Sequence, residues 1–350
     1  MSARVLLLFT LALLAVLVLL SFIVTPRHWS TGEQGAPPLP VVSGGPPVEL
    51  PRRVWVDTDA ACGHALDADA DDCFALLVLL RAAEIDIIGI SAVAGNAPAA
   101  AAAQIARDLI AQVAPAPQVY HGPAARIALQ AALAEGPLVI VALGPLTNIA
   151  ASLRERPDLR HNVARLVAVM GRRPGHLFHP SEGSGTGILF GHGPVFRDFN
   201  FEKDRAAGHE IVAMHLPLTL VPYEVARRLR LTAADLARLE TAGGAAAWVA
   251  RRAHGWLRFW VTVVGLDGFY PFDALAAAYA IEPALFDCAD AGVWIARDAR
   301  RGGTRFGSEA LLVGLDSERA EEPLASSSAY YCVRMSPEMH DWLMARLIDR

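Results

Sequence analysis

The sequence predicts an α/β domain over residues 52–350, a mostly parallel central sheet with helices on both faces, preceded by an N-terminal transmembrane helix. Two patterns carry this reading. From Arg52 onward, short and continuously apolar strands alternate with helical segments, the signature of strands buried on both faces. Before that, residues 5–24 form an uncharged run of twenty, broken only by Thr10 and Ser21.

As a helix the apolar run would be roughly 30 Å long, enough to cross a bilayer. It exceeds the ~7–15-residue apolar core of a cleaved signal peptide, and no small-x-small cleavage site precedes Thr25. Residues 1–24 are therefore expected to be a retained anchor, with the amino end inside and the domain outside the cytoplasm. Residues 25–51 are rich in Pro, Gly and Ser without periodicity and read as a linker.

Within the domain, residues 54–56 read as a buried strand that delivers Asp57 and Asp59 to its C-terminal end, and residues 75–80 as the helix that follows. Residues 85–93 form a strand ending at Gly95-Asn96, and residues 99–113 an Ala-rich helix with Pro98 near its first turn. Residues 138–143 give a strand capped by Gly144-Pro145, with a helix beginning near Thr147. Residues 166–170 and 218–221 supply two further strands. Ligands in such folds bind beyond the carboxyl ends of the strands, where Asp59, Asn96 and Gly144 all fall.

The composition suits a folded enzyme or binder of small molecules. The chain has 350 residues, 53% of them apolar, and a net charge of -5, which gives no support to a nucleic-acid partner. A homo-oligomer is compatible with the sequence. Four cysteines, Cys62, Cys73, Cys288 and Cys332, are too few and scattered for a disulfide scaffold. A Cys62–Cys73 bridge is open to a domain outside the cytoplasm.

The chemistry concentrates near the first strand, where Asp57, Asp59, Asp67, Asp69, Asp71 and Asp72 place six carboxylates within sixteen residues. Like charges in a partly dry cleft repel by several kcal/mol unless a cation or shared protons offset them. A solvated acidic loop is the alternative, but the strand in front and the apolar helix behind argue against it. Oxygen ligands favour calcium or magnesium over zinc.

Several further motifs follow in order: Gly95-Asn96, the turn Leu143-Gly144-Pro145-Leu146-Thr147-Asn148, Asp198-Phe199-Asn200 followed by Asp204, Asp273 after Phe272, and a closing strand and helix over residues 331–347. With the acidic pairs, this series resembles the inosine-uridine-type nucleoside hydrolases across nearly all of residues 52–350. The resemblance implies hydrolysis of an N-ribosidic bond of a nucleoside substrate at a bound Ca2+. Asp59, Asp72, Asp273 and the carbonyl of Leu143 would hold the ion, Asp59 would also take a proton from water, and Asp71, Asn96, Asp198 and Asn200 would bind the sugar. Asn96 and Asn148 have a plainer reading as turn or helix caps.

The departures from that family's pattern are informative. The acidic motif is usually compact, whereas here eleven residues separate Asp59 from Asp71 and Ala60 replaces a proline. His64, Asp67 and Asp69 come with this insertion; they are open to tuning substrate choice, binding a second ion or playing no part, and the last is the expectation. Asp198 stands where a Glu is common. Phe272 stands where pyrimidine-tolerant members carry a proton-donating His, so a purine base held by stacking is expected, with Trp256 or Trp260 as candidate partners and a helix core as their plainer role. His176, His179 and His192 are candidates to supply the missing acid, and Gly183 to Gly187 reads as a loop without the Lys-Ser/Thr of a phosphate-binding motif. Two rival readings are a haloacid-dehalogenase-type phosphatase, which needs a lysine where only Lys203 is available, and a non-catalytic nucleoside or ribose binder.

Overall fold

The structure, a computed structural model, describes residues 52–113, 117–174, 198–297, 309–314 and 327–348. The expected anchor and linker at 1–51, His176, His179 and His192, and the Gly183 to Gly187 run lie outside the described residues. Among those described, no helix is long and apolar enough to cross a membrane.

Strands β1 (Arg53–Thr58), β2 (Asp86–Ala92), β3 (Val119–His121), β4 (Leu138–Ala142), β5 (Val163–Ala168) and β6 (Leu218–Leu220) run parallel. Helices α1 (Asp71–Arg81), α2 (Ala99–Ile110), α3 (Pro123–Ala134) and α4 (Thr147–Glu155) make the crossovers between the first five, and α5 (Phe199–Lys203), α6 (Arg205–Ala213), α7 (Tyr223–Ala226) and α8 (Ala233–Ala242) follow along the chain. A short pair, β7 (Leu231–Thr232) and β8 (Gly268–Phe269), stands apart. The sheet is completed by β9 (Phe286–Arg297), β10 (Glu309–Gly314) and β11 (Ser327–Met335), in the order β10-β9-β11-β6-β5-β4-β1-β2-β3. β11 pairs parallel with β6, and only β9 runs against its neighbours. The mostly parallel sheet expected from the apolar runs is present.

Side-chain alternation sorts the core into two layers, because successive residues of a strand point to opposite faces. Val54, Val56, Val139 and Val141 join the cluster under α1, helix α9 (Gly244–Phe259) and helix α10 (Phe272–Ile281). Trp55, Leu138, Ile140 and Ala142 join the other cluster, with Leu129 of α3 and Ile149 of α4. Both faces of β1 and β4 are thereby dry, which is why these strands read as unbroken apolar runs.

Two local expectations are corrected. The helix after the acidic stretch starts at Asp71, so Asp71 and Asp72 occupy its first turn rather than a loop, where carboxylates are favoured by the helix dipole. The cysteines form two bridges, Cys62–Cys73 and Cys288–Cys332, leaving none free among the described residues. The second pair was illegible in the sequence because it depends on the antiparallel register that sets Cys332 opposite Cys288.

The insertion after β1 is fastened at several points. Cys62 ties it to α1, Ala61 and Ala68 pack with Ala97, Ala102 and Ala103, and the Leu66 backbone rests on α9. A Cβ added at Gly255 would lie 1.6 Å from the Leu66 carbonyl oxygen. Gly255→Ala is accordingly expected to push the loop off the helix and to cost about 1–3 kcal/mol; an unaltered denaturant midpoint would show that the contact is not made.

Candidate active site

The C-terminal ends of β1, β2, β4 and β5 open into a cleft of about 230 Å³, a volume on the scale of a small molecule. Its acidic side is made by Asp69, Asp71 and Asp273, with Asn96 beside them, and its aromatic wall by Trp256, Trp260 and Phe272. Leu143, Val169, Asp198, Phe199 and Asn200 close the end nearest β5.

Asp59 follows the end of β1 in a cradle of two glycines. A Cβ on Gly95 would fall 1.9 Å from Asp59 Oδ2, and one on Gly144 would fall 2.9 Å from Oδ1. The Asn96 amide donates to Asp59 Oδ2 at 2.7 Å, and the Asp59 amide donates to Asp72 Oδ1 at 3.2 Å. Thr58 Oγ1 also donates to Asp72 Oδ1. From the far third of the chain, the first turn of α10 brings in Asp273, whose amide donates to Asp71 Oδ2 at 3.4 Å. Single carboxylate oxygens of Asp71, Asp72 and Asp273 all lie within 4.8 Å of one another.

The convergence of acids from both ends of the domain is therefore present, with a difference in membership. Asp71, which the resemblance assigns to the sugar, sits in this trio, while Asp59 adjoins it through Asp72. The reason is local: Asp71 and Asp72 are consecutive in one helical turn, and the Asp72 amide donates to Asp71 Oδ1 at 3.0 Å. The Leu143 carbonyl accepts from Asn200 Nδ2 at 2.8 Å, and the Val169 carbonyl accepts from the same nitrogen at 3.1 Å. Asp198 lines the cleft but turns both oxygens to backbone, accepting from Gly171 N at 2.7 Å and Phe201 N at 3.3 Å. Its shorter side chain works as a cap for the turn at Phe199–Lys203.

Asn148 is no helix cap; its Nδ2 donates to Asp57 Oδ1 at 2.9 Å and to the Ala92 carbonyl at 3.2 Å, beneath the cleft. His64 and Asp67 are exposed, whereas Asp69, expected to be idle, lines the cleft and accepts from the Asp71 amide at 3.1 Å. Trp256 and Trp260 belong to the wall and not only to the helix core. Phe199, which the sequence gives no role beyond its place in the Asp198-Phe199-Asn200 motif, also lines the cleft.

The electrostatics follow from burial. Desolvation pushes the Asp57 carboxyl up to about 7, aided by the nearby charge of Asp72 and opposed by hydrogen bonds from Asn148 and Ser91. Asp59, Asp71 and Asp273 are also raised, first by desolvation and then by the neighbouring carboxylates. Asp59 Oδ1 and Asp72 Oδ2 are buried with no hydrogen-bond partner. Buried anionic oxygens without donors are what a hard cation satisfies, so the residues present fit an ion such as calcium.

Parallel strands with an oxygen-lined, acid-rich cleft at their carboxyl ends define the class of α/β proteins that bind small molecules at this edge of the sheet. Within it, the chain belongs to the inosine-uridine preferring nucleoside hydrolase family, whose profile matches residues 115–323, more than half the chain. That membership sets aside the phosphatase alternative. A pyrimidine-specific ribonucleoside hydrolase, RihA of Enterobacter sp. (strain 638), is 26% identical over 165 residues, which are 45% of this chain and 47% of that protein; the alignment thus spans about half the length of this curated relative. Among solved structures, the plant nucleoside hydrolase PpNRh1 superposes with a TM-score of 0.69 at 19% identity, covering 86% of this chain and all of that one (100%). A purine-preferring ribonucleoside hydrolase from Gardnerella vaginalis gives 0.63 at 18% identity, with 85% and 98% covered.

Two outcomes follow. In chelated protein, Asp57 binds a proton more tightly when folded than when unfolded, so its contribution to stability is present at low pH and is lost as pH rises from 3.8 through about 7. Denaturant titrations across that interval should show this decline made shallower by Asp57→Asn, and an identical slope in the variant would contradict it. Gly95→Ala should displace the Asp59 carboxylate and abolish the rise in melting temperature that a divalent cation bound to the acidic cluster would give; a preserved rise would mean Asp59 is not held by this contact.

Proposed function

We propose that this chain hydrolyses the N-glycosidic bond of ribonucleosides, purine nucleosides in preference, releasing base and ribose with calcium in the acidic cluster. The observation that carries this reading is the meeting of Asp71, Asp72 and Asp273 beside Asp59, facing a wall of three aromatic rings. Asp59, Asp71, Asp72 and Asp273, with the Leu143 carbonyl, would hold the cation. When bound, the ion supplies positive charge that offsets the carboxylates and Lewis acidity toward water and the sugar hydroxyls.

The side chains do the rest. Asp59 takes the proton of the attacking water from a position set by Gly95 and Gly144. Asp71 and Asn96 hold the ribose, and Asp198 and Asn200 frame its far end. As the bond to the base breaks, positive charge builds on the sugar, and carboxylates already in place stabilise that charge more than the neutral ground state. Phe272 stacks at 6.1 Å on Tyr223, a support that leaves it as a platform for a base. The relatives carry both preferences in their names, pyrimidine-specific in one and purine-preferring in another, and the aromatic Phe272 favours the purine side. The two disulfides support a domain outside the cytoplasm, as a membrane anchor at residues 1–24 would place it.

Calcium-dependent ribose release from a panel of nucleosides tests the proposal. Inosine or guanosine should exceed uridine, and Asp72→Asn should reduce kcat by about 10²-fold or more. Ligand-induced stabilisation without any ribose release would favour a non-catalytic binder, and release unaffected by Asp72→Asn would reject this site. Phe272→Ala should lower kcat/KM for the purine about tenfold while leaving the uridine value little changed; equal losses would remove the stacking role.

A further inference from the structure

A buried ion pair lies outside the acidic cluster and has no part in the chemistry above. Arg173, beyond the end of β5, and Glu224, in the first turn of α7, have side chains only 8% and 12% exposed. Glu224 accepts at both oxygens: Oε2 from Arg173 Nε at 2.7 Å, and Oε1 from the Arg173 amide at 3.0 Å and the Tyr331 hydroxyl at 2.9 Å. Tyr331 belongs to β11 and is wholly buried, so one carboxylate clamps α7 to the chain leaving β5 and to the middle of β11. Such a pair does little for stability, because taking both ions out of water offsets most of their attraction, and apolar residues of similar bulk often hold a fold as well. Its position points elsewhere. The residue before Glu224 is Tyr223, whose buried ring lies 6.1 Å from Phe272 at 25° and 6.1 Å from Tyr270 at 77°. Phe272 lines the cleft, and any rotation of α7 would tilt the ring on which it rests.

We infer that Glu224 is a positioning residue: it fixes Tyr223, through Tyr223 the plane of Phe272, and thereby how strongly the cleft prefers purine over pyrimidine ribosides. The inference rests on the hydrolase reading above. Stacking between aromatic rings depends on offset and tilt at centroid separations of roughly 4.5–7 Å. A fused purine offers two rings to Phe272 and a pyrimidine one, so a tilted platform costs the purine more. None of Glu224, Arg173 and Tyr331 lines the cleft. Their effect on base preference therefore passes through the aromatic contacts.

The test is the ratio of kcat/KM for inosine to that for uridine, measured with the full chain and calcium. Arg173→Met combined with Glu224→Leu removes both charges together, so neither is left buried alone. This double variant should melt near the temperature of the unaltered chain and lower the ratio about tenfold, through the inosine value. Tyr331→Phe keeps the ion pair, removes one hydrogen bond to Glu224, and should lower the ratio about two- to threefold; it decides the matter if the double variant does not fold. In a Phe272→Ala background the same substitutions should leave the ratio where Phe272→Ala alone puts it, because a platform already removed cannot be tilted. A merely structural role would instead lower both substrates alike and add to the effect of Phe272→Ala. An unchanged ratio in a folded variant, equal losses on the two nucleosides, or that additivity overturns the inference and leaves the hydrolase reading standing. No ribose from either nucleoside with the unaltered chain, calcium binding verified, overturns the hydrolase reading itself.

Discussion

Mutual repulsion among buried carboxylates is the constraint around which this molecule is arranged. Asp57, Asp59 and Asp72 have no solvent exposure at all, and in so dry a place an anion without a partner costs several kcal/mol. The surroundings answer with short-range donors: Asn148 and Ser91 on Asp57, Thr58 on Asp72, the Asn96 amide on Asp59. Those donors are too few, and Asp59 and Asp72 each keep one buried oxygen without a donor. A fold that leaves such oxygens at the carboxyl ends of its strands has given up stability there, as functional sites commonly do.

The rest of the architecture holds these acids in place. Parallel pairing of β1 with β2 and β4 sets Asp57 level with Ser91 and Ala142, and two glycines let Asp59 approach the neighbouring chain closely. Helices α1 and α10, which pack together on one face of the sheet, deliver Asp71, Asp72 and Asp273 from their first turns. Residues two hundred positions apart thus meet because two helices begin at the same edge. The aromatic wall follows from the same packing, since Trp260 and Phe272 contact Tyr270 between them.

Much of this was legible in the chain. Strand-end acids, the Gly95-Asn96 and Gly144-Pro145 turns, and Asp273 in an apolar helix all announce themselves, because each interrupts a continuous apolar pattern with a charge or a turn residue. What escaped notice depends on distance. Cys288 and Cys332 meet only through an antiparallel register, and Asn148, which resembles a cap by its position in a turn, is turned inward by a carboxylate ninety-one residues earlier. Asp69 looked like one more solvated charge because nothing local reveals that its loop is pinned to a helix nearly two hundred residues away. The shortened Asp198 is unusual in the sequence, but the turn of both its oxygens to the backbone depends on Gly171, twenty-seven residues earlier.

The side chain of Asn200 has a mechanical meaning. By donating to the carbonyls of both Leu143 and Val169, it ties the ends of two adjacent strands into one rigid floor. Guests of different breadth cannot be accommodated by spreading that floor, so any give must come from the rim opposite, where the disulfide-fastened loop leans on α9. Variants that widen or narrow the range of accepted guests should therefore accumulate along this seam, with loop and helix changing as a matched pair.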